Sequence, residues 1–567
     1  MTRVLSHTVA DLVARALSSL GARRCFGVVG SGNFAVTNAL QAAGVTFTAA
    51  RHEGGAATMA DAYARMSGEV ALVSVHQGCG LTNAATGIGE AAKSRTPMIV
   101  LAAEASAASV LSNFAMDQPG FTRSVLADSH RVHSAESALA DVVRAFRTAR
   151  DERRTIVLQL PLDVQAQPAP ADAWHALDTL APPSAPLLPR ANDAALTQLV
   201  AMLAASARPV IIAGRGAREA GPALRALAAA SGALLATSAV AKGLFADDEF
   251  DLGISGGFSS PLTAELISQA DLIVSFGCAL NMWTMRHGRL IGSDTRVVQV
   301  DVDPAALGAH RPINLGVLGD SAATAAAACA ALISLGHSPA PRYRTPEVAA
   351  RIAAAARWSN VPLDPPDLSD ASTIDPRVLT RELDALLPSE RIVSVDSGNF
   401  MGYPSAYLDV PDERGFCFTQ AFQAIGLGLA TAIGAALAQP GRLPVLGAGD
   451  GGFLMGIAEL ETAVRLGLPL LVVVYNDDAY GAEVHHFGAG NDPATQRPPL
   501  DTVTFPRVDI ASIARGFGAD GVTVQRVADL AAVRDWLDSG PQRPLVLDAR
   551  IASDGGAWWL AEAFRGH

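Results

Sequence analysis

The chain has 567 residues, about three or four times the length of a typical domain, and therefore predicts roughly three domains. Half of the residues are apolar and 17% are charged, a composition that excludes a disordered or collagen-like chain. The net charge of −12 argues against a nucleic-acid partner, and five scattered cysteines are too few for a disulfide framework or a zinc cluster. No apolar run approaches the ~20 residues that a bilayer requires, so we expect a cytoplasmic protein without a membrane partner.

The first block, residues 1–168, opens on a predicted amphipathic helix and then alternates helical patterns with short apolar runs. The apolar runs predict strands at residues 24–30, 45–51, 69–76, 97–103 and 154–161. Strands that alternate with helices are joined by crossover connections and lie parallel in one sheet. The proline- and alanine-rich residues 169–190 then predict an extended linker.

The central block, residues 191–341, repeats this alternation. Its apolar runs predict strands at residues 208–214, 232–238, 270–277 and 295–304. Gly214-Arg215-Gly216 follows the first of these strands and forms half of a dinucleotide-binding fingerprint, but the third glycine is missing. We therefore interpret this segment as a tight turn between a strand and a helix. Residues 342–376 predict a second linker.

The third block, residues 377–553, alternates again, with strands predicted at residues 391–398, 443–450, 468–477 and 544–550. The three blocks together predict an α/β protein of three doubly wound parallel-sheet domains. Residues 554–567 form a short tail that contains Trp558, Trp559 and Phe564. We interpret this tail either as a lid over a site or as a docked terminal helix.

A glycine-rich turn in the third block is the strongest chemical signal. Residues 449–452 read Gly-Asp-Gly-Gly and follow one predicted strand, and Asn476-Asp477 follows the next. Because the carboxyl ends of neighbouring parallel strands meet at one edge, Asp450 and Asp477 should lie close together. Small residues and a helix N-terminus allow an anion to approach, and a hard cation such as Mg²⁺ can bridge the carboxylates to phosphate oxygens.

This pattern resembles the thiamine-diphosphate-binding motif of the superfamily of 2-oxo-acid decarboxylases and acetohydroxyacid (acetolactate) synthases. The resemblance implies thiamine diphosphate and Mg²⁺ as cofactors. The implied metal ligands are Asp450, Asp477, Asn476 and the backbone carbonyl of Ala479. The family usually has a second asparagine at the position of Asp477, 27 residues after Asp450, so we rank Asp477 above Asn476.

The resemblance also implies a set of cofactor-binding residues. Asn399 and Phe400 match the loop that holds the diphosphate, and Ile425 matches the large apolar residue that bends the cofactor into a V. The full implied set is Glu53, Asn399, Phe400, Gln423, Ile425, Gly449, Gly451, Gly452 and Tyr480. In the central domain, binding of FAD or of a CoA nucleotide is left undetermined.

Glu53 lies where a predicted strand meets a helix of small residues, and taken alone it reads as a helix N-terminal charge. Beside the glycine-rich motif, it resembles the family's glutamate that hydrogen-bonds the aminopyrimidine of thiamine. In this family the glutamate comes from one subunit and the metal site from another. The resemblance therefore implies a homodimer at least, extending to a homotetramer of two dimers.

Three further residues are expected to face a substrate. Most members of the family read Gly-Pro-Gly in the segment where this chain has His76-Gln77-Gly78-Cys79-Gly80, and both His76 and Ser31 resemble positions of benzoylformate decarboxylase. Glu483 matches a catalytic glutamate of pyruvate decarboxylase. The implied catalytic residues are Glu53, His76, Glu483 and Ser31. His76 could instead be a satisfied histidine at a strand end, and Glu483 a solvated carboxylate.

The resemblance implies an enzyme that decarboxylates a small 2-oxo acid. The resulting enamine is either protonated or joined to a second carbonyl compound. The Phe-Gln-Glu signature of acetohydroxyacid synthases is not reproduced at residues 114–118. Two alternatives stay open: a non-decarboxylating C–C lyase, such as a 2-hydroxyacyl-CoA lyase or a diketone-cleaving enzyme, and a catalytically silent relative that binds the cofactor.

Overall fold

The structure is a computed structural model, and it describes residues 7–184, 187–338, 343–488, 499–563 and 565. Within these residues each domain contains one six-stranded sheet, and every strand pair is parallel. Helices flank the sheets, so the prediction of an α/β protein with three doubly wound parallel sheets is confirmed. No helix among the described residues is long and apolar enough to cross a bilayer.

The first domain begins with the predicted amphipathic helix, which starts at a capping box between Thr8 and Asp11 and ends at Gly21, φ 110°. The strands are β1 (Arg24–Gly27), β2 (Thr46–Ala49), β3 (Ala71–Val75), β4 (Met98–Glu104), β5 (Asp128–Arg131) and β6 (Thr155–Pro161). The helices are α1 (Val9–Leu20), α2 (Phe34–Ala42), α3 (Glu53–Ser67), α4 (Cys79–Asn83), α5 (Ala85–Lys93), α6 (Gln118–Ser124), α7 (Ala138–Asp151), α8 (Leu162–Gln165) and α9 (Ala171–Ala176).

The central domain has the strand order β12-β11-β10-β7-β8-β9, which is the order of a dinucleotide-binding sheet. The strands are β7 (Pro209–Ala213), β8 (Leu234–Thr237), β9 (Asp251–Ile254), β10 (Leu272–Phe276), β11 (Arg296–Asp301) and β12 (Leu315–Leu318). The helices are α10 (Asp193–Ala205), α11 (Gly221–Ser231), α12 (Pro261–Ser268), α13 (Ser321–Ser334) and α14 (Pro346–Ala355). Gly216 packs against Gly277, where a Cβ would lie 2.9 Å from its Cα, so the Gly-Arg-Gly segment is the tight turn that we expected.

The third domain carries the glycine-rich motif. The strands are β13 (Arg391–Val395), β14 (Phe416–Phe418), β15 (Leu443–Gly449), β16 (Leu471–Asn476), β17 (Asp520–Val524) and β18 (Leu545–Arg550). The helices are α15 (Pro376–Leu386), α16 (Gly402–Tyr407), α17 (Gly428–Ala438), α18 (Asp450–Gly456), α19 (Glu459–Arg465), α20 (Gly481–Gly488), α21 (Ile510–Gly516), α22 (Ala531–Asp538) and α23 (Leu560–Ala563).

The first and third sheets have the same topology. The first runs β2-β1-β3-β4-β6-β5 and the third runs β14-β13-β15-β16-β18-β17, so corresponding strands occupy corresponding places. The two domains also share a hydrophobic core, in which α3 packs along α17. Gly434 of α17 lies so close to the Met59 carbonyl that any side chain there would overlap it. The first and third domains of one chain are therefore in direct and close contact.

The two predicted linkers are only partly extended. Residues 169–190 contain α9 and the side chain of Leu177, which is buried in the core of the first domain. Residues 342–376 contain α14, whose Ile352 is buried in the core of the central domain. Apolar side chains in both segments are buried against the preceding domain, and burial of this kind favours packed helices over an extended tether.

Candidate active site

Two aspartates lie side by side at the carboxyl edge of the third sheet. Asp450 is the first residue of α18 and follows β15, and Asp477 follows β16, the neighbouring parallel strand. Asp450 is buried, Asp477 is partly exposed, and their carboxyl groups hydrogen-bond to each other. Burial raises the pKa of both groups, and for Asp477 the neighbouring carboxylate raises it further. We call these two residues the acid pair.

The backbone after the acid pair offers a third oxygen. An antiparallel bridge joins the Tyr480 N–H to the Val503 carbonyl and the Phe505 N–H to the Asp478 carbonyl, both at 2.8 Å. This pairing leaves the Ala479 carbonyl outside the ladder. Two carboxylates and a carbonyl are the oxygen ligands that Mg²⁺ prefers. Across the described ranges, no group of three or more His, Cys, Asp or Glu side chains is arranged to hold a metal ion.

Asn476, which we retained as a possible metal ligand, is directed away from the acid pair. Its Nδ2 donates to Oδ1 of Asp548 at 2.7 Å, and its Oδ1 accepts the N–H of Asp478 at 3.0 Å. Both polar atoms of the Asn476 amide are thus engaged within the third domain, and these contacts favour Asp477 over Asn476 as the ligand of a cation.

A cavity of about 1110 Å³ opens beside the acid pair, lined mainly by the third and central domains and also by Arg65, Lys93 and Ser94 of the first domain. The third-domain residues expected to bind the cofactor all line it: Asn399, Phe400, Gln423, Ile425, Gly449, Gly451, Gly452 and Tyr480. Ile425 is 37% exposed, and the backbone of Gln423 has a φ of 57°. Ile425 therefore does not occupy the ordinary core position that its apolar side chain alone would suggest, and it follows a backbone in a rarely populated conformation.

Helix α20 follows the acid pair and forms another wall of this cavity. Glu483, the expected catalytic glutamate, lies on this helix and lines the cavity together with His486. Burial lowers the pKa of the neighbouring His485. The helix therefore brings titratable side chains to the cavity within a few residues of the acid pair.

A buried aspartate that the sequence did not single out connects two walls of the cavity. Asp396 follows β13, and its carboxylate accepts the N–H of Ser397 at 2.8 Å and that of Gly426 at 3.0 Å. Burial raises the pKa of Asp396 to about 6. Asp396 thereby links the loop of Asn399 to the segment of Ile425.

The expected residues of the first domain form a separate cluster, which we call the first-domain group: Ser31, Glu53 and His76. None of these three described residues lines the cavity of the acid pair. Ser31 Oγ lies 3.3 Å from Nε2 of His76, and Nδ1 of His76 lies 2.9 Å from the Gln77 carbonyl. Because a carbonyl only accepts, Nδ1 carries a proton, and in the neutral imidazole Nε2 accepts from the Ser31 hydroxyl.

Glu53 lies next to His76 within this group. It is the first residue of α3, and its Oε2 accepts from Nδ2 of Asn83 at 3.0 Å. A Cβ on Gly80 would lie 3.4 Å from Oε1 of Glu53 and 3.1 Å from Cβ of His76. Glu53 and His76 therefore flank the same glycine, which leaves room between them.

Residues 114–118 support the first-domain group. Phe114 packs its ring edge-on against His76, with centroids 4.7 Å apart. Gln118 is buried, and its Oε1 accepts the Gly78 N–H at 2.9 Å. The segment that lacks the synthase signature thus fixes the loop after β3, and sequence analysis assigned no role to Phe114.

The comparisons with known proteins match parts of all three domains. Family models described as thiamine pyrophosphate enzyme match it over residues 7–124 (N-terminal TPP binding domain), 196–328 (central domain) and 396–549 (C-terminal TPP binding domain). A probable 2-ketoarginine decarboxylase of Pseudomonas aeruginosa is 31% identical over 482 residues, which span 84% of this chain and 83% of that protein. The chain belongs to the thiamine pyrophosphate enzyme family.

Other relatives differ in the reaction that their names denote. A sulfoacetaldehyde acetyltransferase of Castellaniella defragrans is 29% identical and covers 97% of this chain and 92% of its own length. A pyruvate oxidase of Lactiplantibacillus plantarum is 27% identical, with coverages of 96% and 88%. The solved thiamine diphosphate-dependent 4-hydroxybenzoylformate decarboxylase of Rhodococcus jostii RHA1 superposes with a TM-score of 0.80 at 20% identity, covering 97% of this chain and all of that one, which shows a shared fold.

The residues of this thiamine pyrophosphate enzyme fit the cofactor and the cation that the resemblance implied. The side chain of Tyr480 lies against Gly451, where a Cβ would come within 2.7 Å of the ring, so the turn 449–452 presents bare backbone to the cavity at the start of α18. The raised pKa values show that two negative charges are unfavourable at the acid pair. A divalent cation bound between the two carboxylates would offset this repulsion.

The aromatic tail of the enzyme docks beside the cavity. Trp559 is fully buried, and Nε1 of Trp558 donates to the Gly257 carbonyl at 3.2 Å. Leu560 lines the cavity. The two tryptophans therefore dock the tail against the protein, and Leu560, the residue after them, borders the cavity. Phe564 lies outside the described residues.

Proposed function

We propose that this enzyme decarboxylates a 2-oxo acid with thiamine diphosphate and Mg²⁺ at a site completed by two subunits. The proposal rests on the separation of the two functional clusters, since the cavity of the acid pair and the first-domain group lie apart in one chain. In a homodimer the first-domain group of one subunit would complete the cavity of the other, and two such dimers would form the expected homotetramer.

The third domain supplies the residues that would hold the cofactor. The acid pair and the Ala479 carbonyl would bind Mg²⁺, and the turn 449–452 would receive the diphosphate at the start of α18. Ile425 would contact the thiamine rings with its exposed apolar side chain. When bound, thiamine diphosphate supplies an electron sink for the carbon atom that loses CO₂.

The first-domain group would manage protons. The Gln77 carbonyl fixes the proton of His76 on Nδ1, so Nε2 faces Ser31 as an acceptor that can receive and return a proton. Histidine is suited to this task near neutral pH. The carboxyl of Glu53, oriented by Asn83, would share a proton with the aminopyrimidine. Glu483 on α20 is the second acid at the cavity.

The names of the relatives support a 2-oxo acid as the substrate. 2-Ketoarginine and 4-hydroxybenzoylformate are both 2-oxo acids, and each is named as the substrate of a decarboxylase similar to this chain. The name of the acetyltransferase denotes the transfer of a two-carbon acyl group, which supports a second outcome in which a carbon fragment formed at the site is passed to an acceptor. Both outcomes require the same first-domain group and the same acid pair.

A panel of 2-oxo acids, with aliphatic, aromatic and basic side chains, tests the proposal. CO₂ release is measured with and without thiamine diphosphate, with and without Mg²⁺, and with and without an acceptor aldehyde, and the products are identified by mass spectrometry. We expect at least one of these acids to release CO₂, and we expect this release to require both thiamine diphosphate and Mg²⁺. Absence of release from the whole panel, with the cofactor bound, would contradict the proposal. A visible absorption spectrum of the purified protein decides whether a flavin is also present.

A further inference from the structure

Two buried glutamates connect the first and third domains by accepting hydrogen bonds from backbone N–H groups of the other domain. Glu90 of α5 belongs to the first domain, and Glu459 of α19 belongs to the third. Each is almost completely buried, and each accepts two consecutive backbone N–H groups from the opposite domain. We call these two residues the cross-domain carboxylates. Neither has a role in the site described above.

Glu459 holds the turn that precedes Glu53. Its Oε1 accepts the N–H of Arg51 at 3.1 Å and that of His52 at 3.0 Å. Its Oε2 accepts from the Thr462 hydroxyl at 2.7 Å and, at 3.3 Å, from the same Arg51 N–H. Gly55 lies against the same carboxylate, and a side chain at position 55 would overlap it. The carboxylate therefore lies at the N-terminus of α3, where the helix dipole favours a negative charge.

Glu90 holds the segment that precedes Gln423 and Ile425. Its Oε1 accepts the N–H of Ala421 at 3.0 Å, and its Oε2 accepts that of Phe422 at 2.6 Å. Arg65 donates to Oε1 at 2.7 Å, so the carboxylate is fixed from behind by a buried guanidinium. The same arginine donates to the Phe418 carbonyl at 2.9 Å, which extends the contact along the third-domain segment.

We propose that Glu90 and Glu459 are reciprocal positioning residues, each of which fixes the cofactor-contacting segment of the opposite domain. Glu459 fixes the start of α3 and thereby the carboxyl of Glu53, and Glu90 fixes the segment that presents Gln423 and Ile425. This inference rests on the proposed function, because both segments matter only if they contact thiamine diphosphate. The two glutamates would then fix the relative position of two half-sites in each chain, and each half-site would belong to a different active site of the dimer.

The two carboxylates differ in a way that makes the roles testable. Glu459 accepts both N–H groups at Oε1, and its Oε2 receives only a longer second contact from the Arg51 N–H at 3.3 Å, so a glutamine can keep the two shorter bonds through its carbonyl and donate its amide to Thr462. Glu90 uses one oxygen for each N–H, so a glutamine must direct its NH₂ group at a backbone N–H or at Arg65. E459Q should therefore conserve the contact, and E90Q should break it.

The experiment measures two quantities on the full-length enzyme: the Kd of thiamine diphosphate by calorimetry in excess Mg²⁺, and kcat on the best substrate of the panel. We expect E90Q to raise the Kd about tenfold, because a buried N–H loses its acceptor in the segment that contacts the cofactor. We expect E459A to lower kcat about tenfold or more while the Kd of thiamine diphosphate stays within about threefold of the wild-type value. The reason is that Glu53 would be displaced from the aminopyrimidine with which it shares a proton. E459Q should restore kcat to within about twofold of the wild type.

E461A is the matched control, because Glu461 lies on the same helix and contacts the side chain of Arg51 instead of its backbone. It should leave both quantities unchanged, and thermal unfolding checks that all variants are folded. A wild-type enzyme that binds no thiamine diphosphate would overturn the proposed function together with this inference. If the wild type binds the cofactor and turns over, two results would contradict the positioning roles alone. One is an E90Q variant with the same Kd as the wild type, and the other is an E459Q variant whose kcat is as low as that of E459A.

Discussion

Replacement of Asp477 by asparagine tests the physical state of the acid pair in the metal-free protein. Burial and the neighbouring Asp450 raise the pKa of Asp477 to about 8, far above the ordinary value near 4. A carboxyl whose pKa is raised by folding holds an extra proton in the native state between these two values. The stability of the wild type should therefore fall as the pH rises through this window, whereas an asparagine at position 477 does not titrate.

The magnitude follows from linkage. One extra proton in the native state corresponds to about 1.4 kcal/mol per pH unit, so the advantage of D477N over the wild type should grow by about 2 to 3 kcal/mol between pH 5 and pH 7. For a domain the size of the third block, this corresponds to roughly 5–10 °C in Tm. Little of it should be lost to solvent screening, because the side chain is only partly exposed.

The assay is thermal unfolding of chelator-treated protein, followed by circular dichroism at one scan rate, at pH 5 and at pH 7. D501N is the control, because Asp501 is exposed and its replacement removes the same formal charge from the surface. Equal differences between D477N and the wild type at the two pH values would refute the reasoning. Calorimetry in two buffers adds an independent check, since Mg²⁺ binding should release about one proton from the wild type and fewer from D477N.

Three further substitutions follow from the site. E53Q should reduce turnover by at least about a hundredfold with an unchanged Tm, because an amide cannot share a proton as a carboxyl does; activity near that of the wild type would remove Glu53 from the mechanism. H76A should lower kcat by about a hundredfold with an unchanged Tm, and an unaltered kcat would return His76 to a structural role. I425A should weaken binding of thiamine diphosphate by about tenfold with little effect on folding, since the side chain is already 37% exposed; calorimetry that shows an unchanged Kd would argue against contact with the cofactor.

Much of the fold could be predicted because the central strands are apolar on both faces. Strands such as β4 and β16 are buried along their length and read as continuous apolar runs. The edge strands β5 and β17 were not predicted, because short strands with polar residues carry no periodic signal. The helix N-terminus expected at the glycine-rich turn belongs to α18, which begins at Asp450 itself and is followed by a second short helix, α19.

The site could be predicted only where its residues are close in sequence or match a motif. Asp450 and Asp477 follow neighbouring strands, so the topology of one βαβ unit brings them together. The contacts of Glu90 and Glu459 join residues more than 300 positions apart, and no local pattern indicates that a buried carboxylate will meet a particular backbone N–H. The direction of the Asn476 side chain likewise depends on Asp548. This residue lies in β18, which pairs with β16 but is 72 positions away in sequence.

The separation of the first-domain group from the acid pair has a genetic consequence in the proposed dimer. A chain damaged at Glu53 still carries an intact acid pair, and a chain damaged at Asp450 still carries an intact first-domain group. When both variant chains are produced in one cell, each mixed dimer contains two different sites. One site combines an intact acid pair with an intact first-domain group, and the other combines the two altered ones. Two inactive alleles should therefore complement each other, and a single such allele should reduce activity without dominating its normal counterpart.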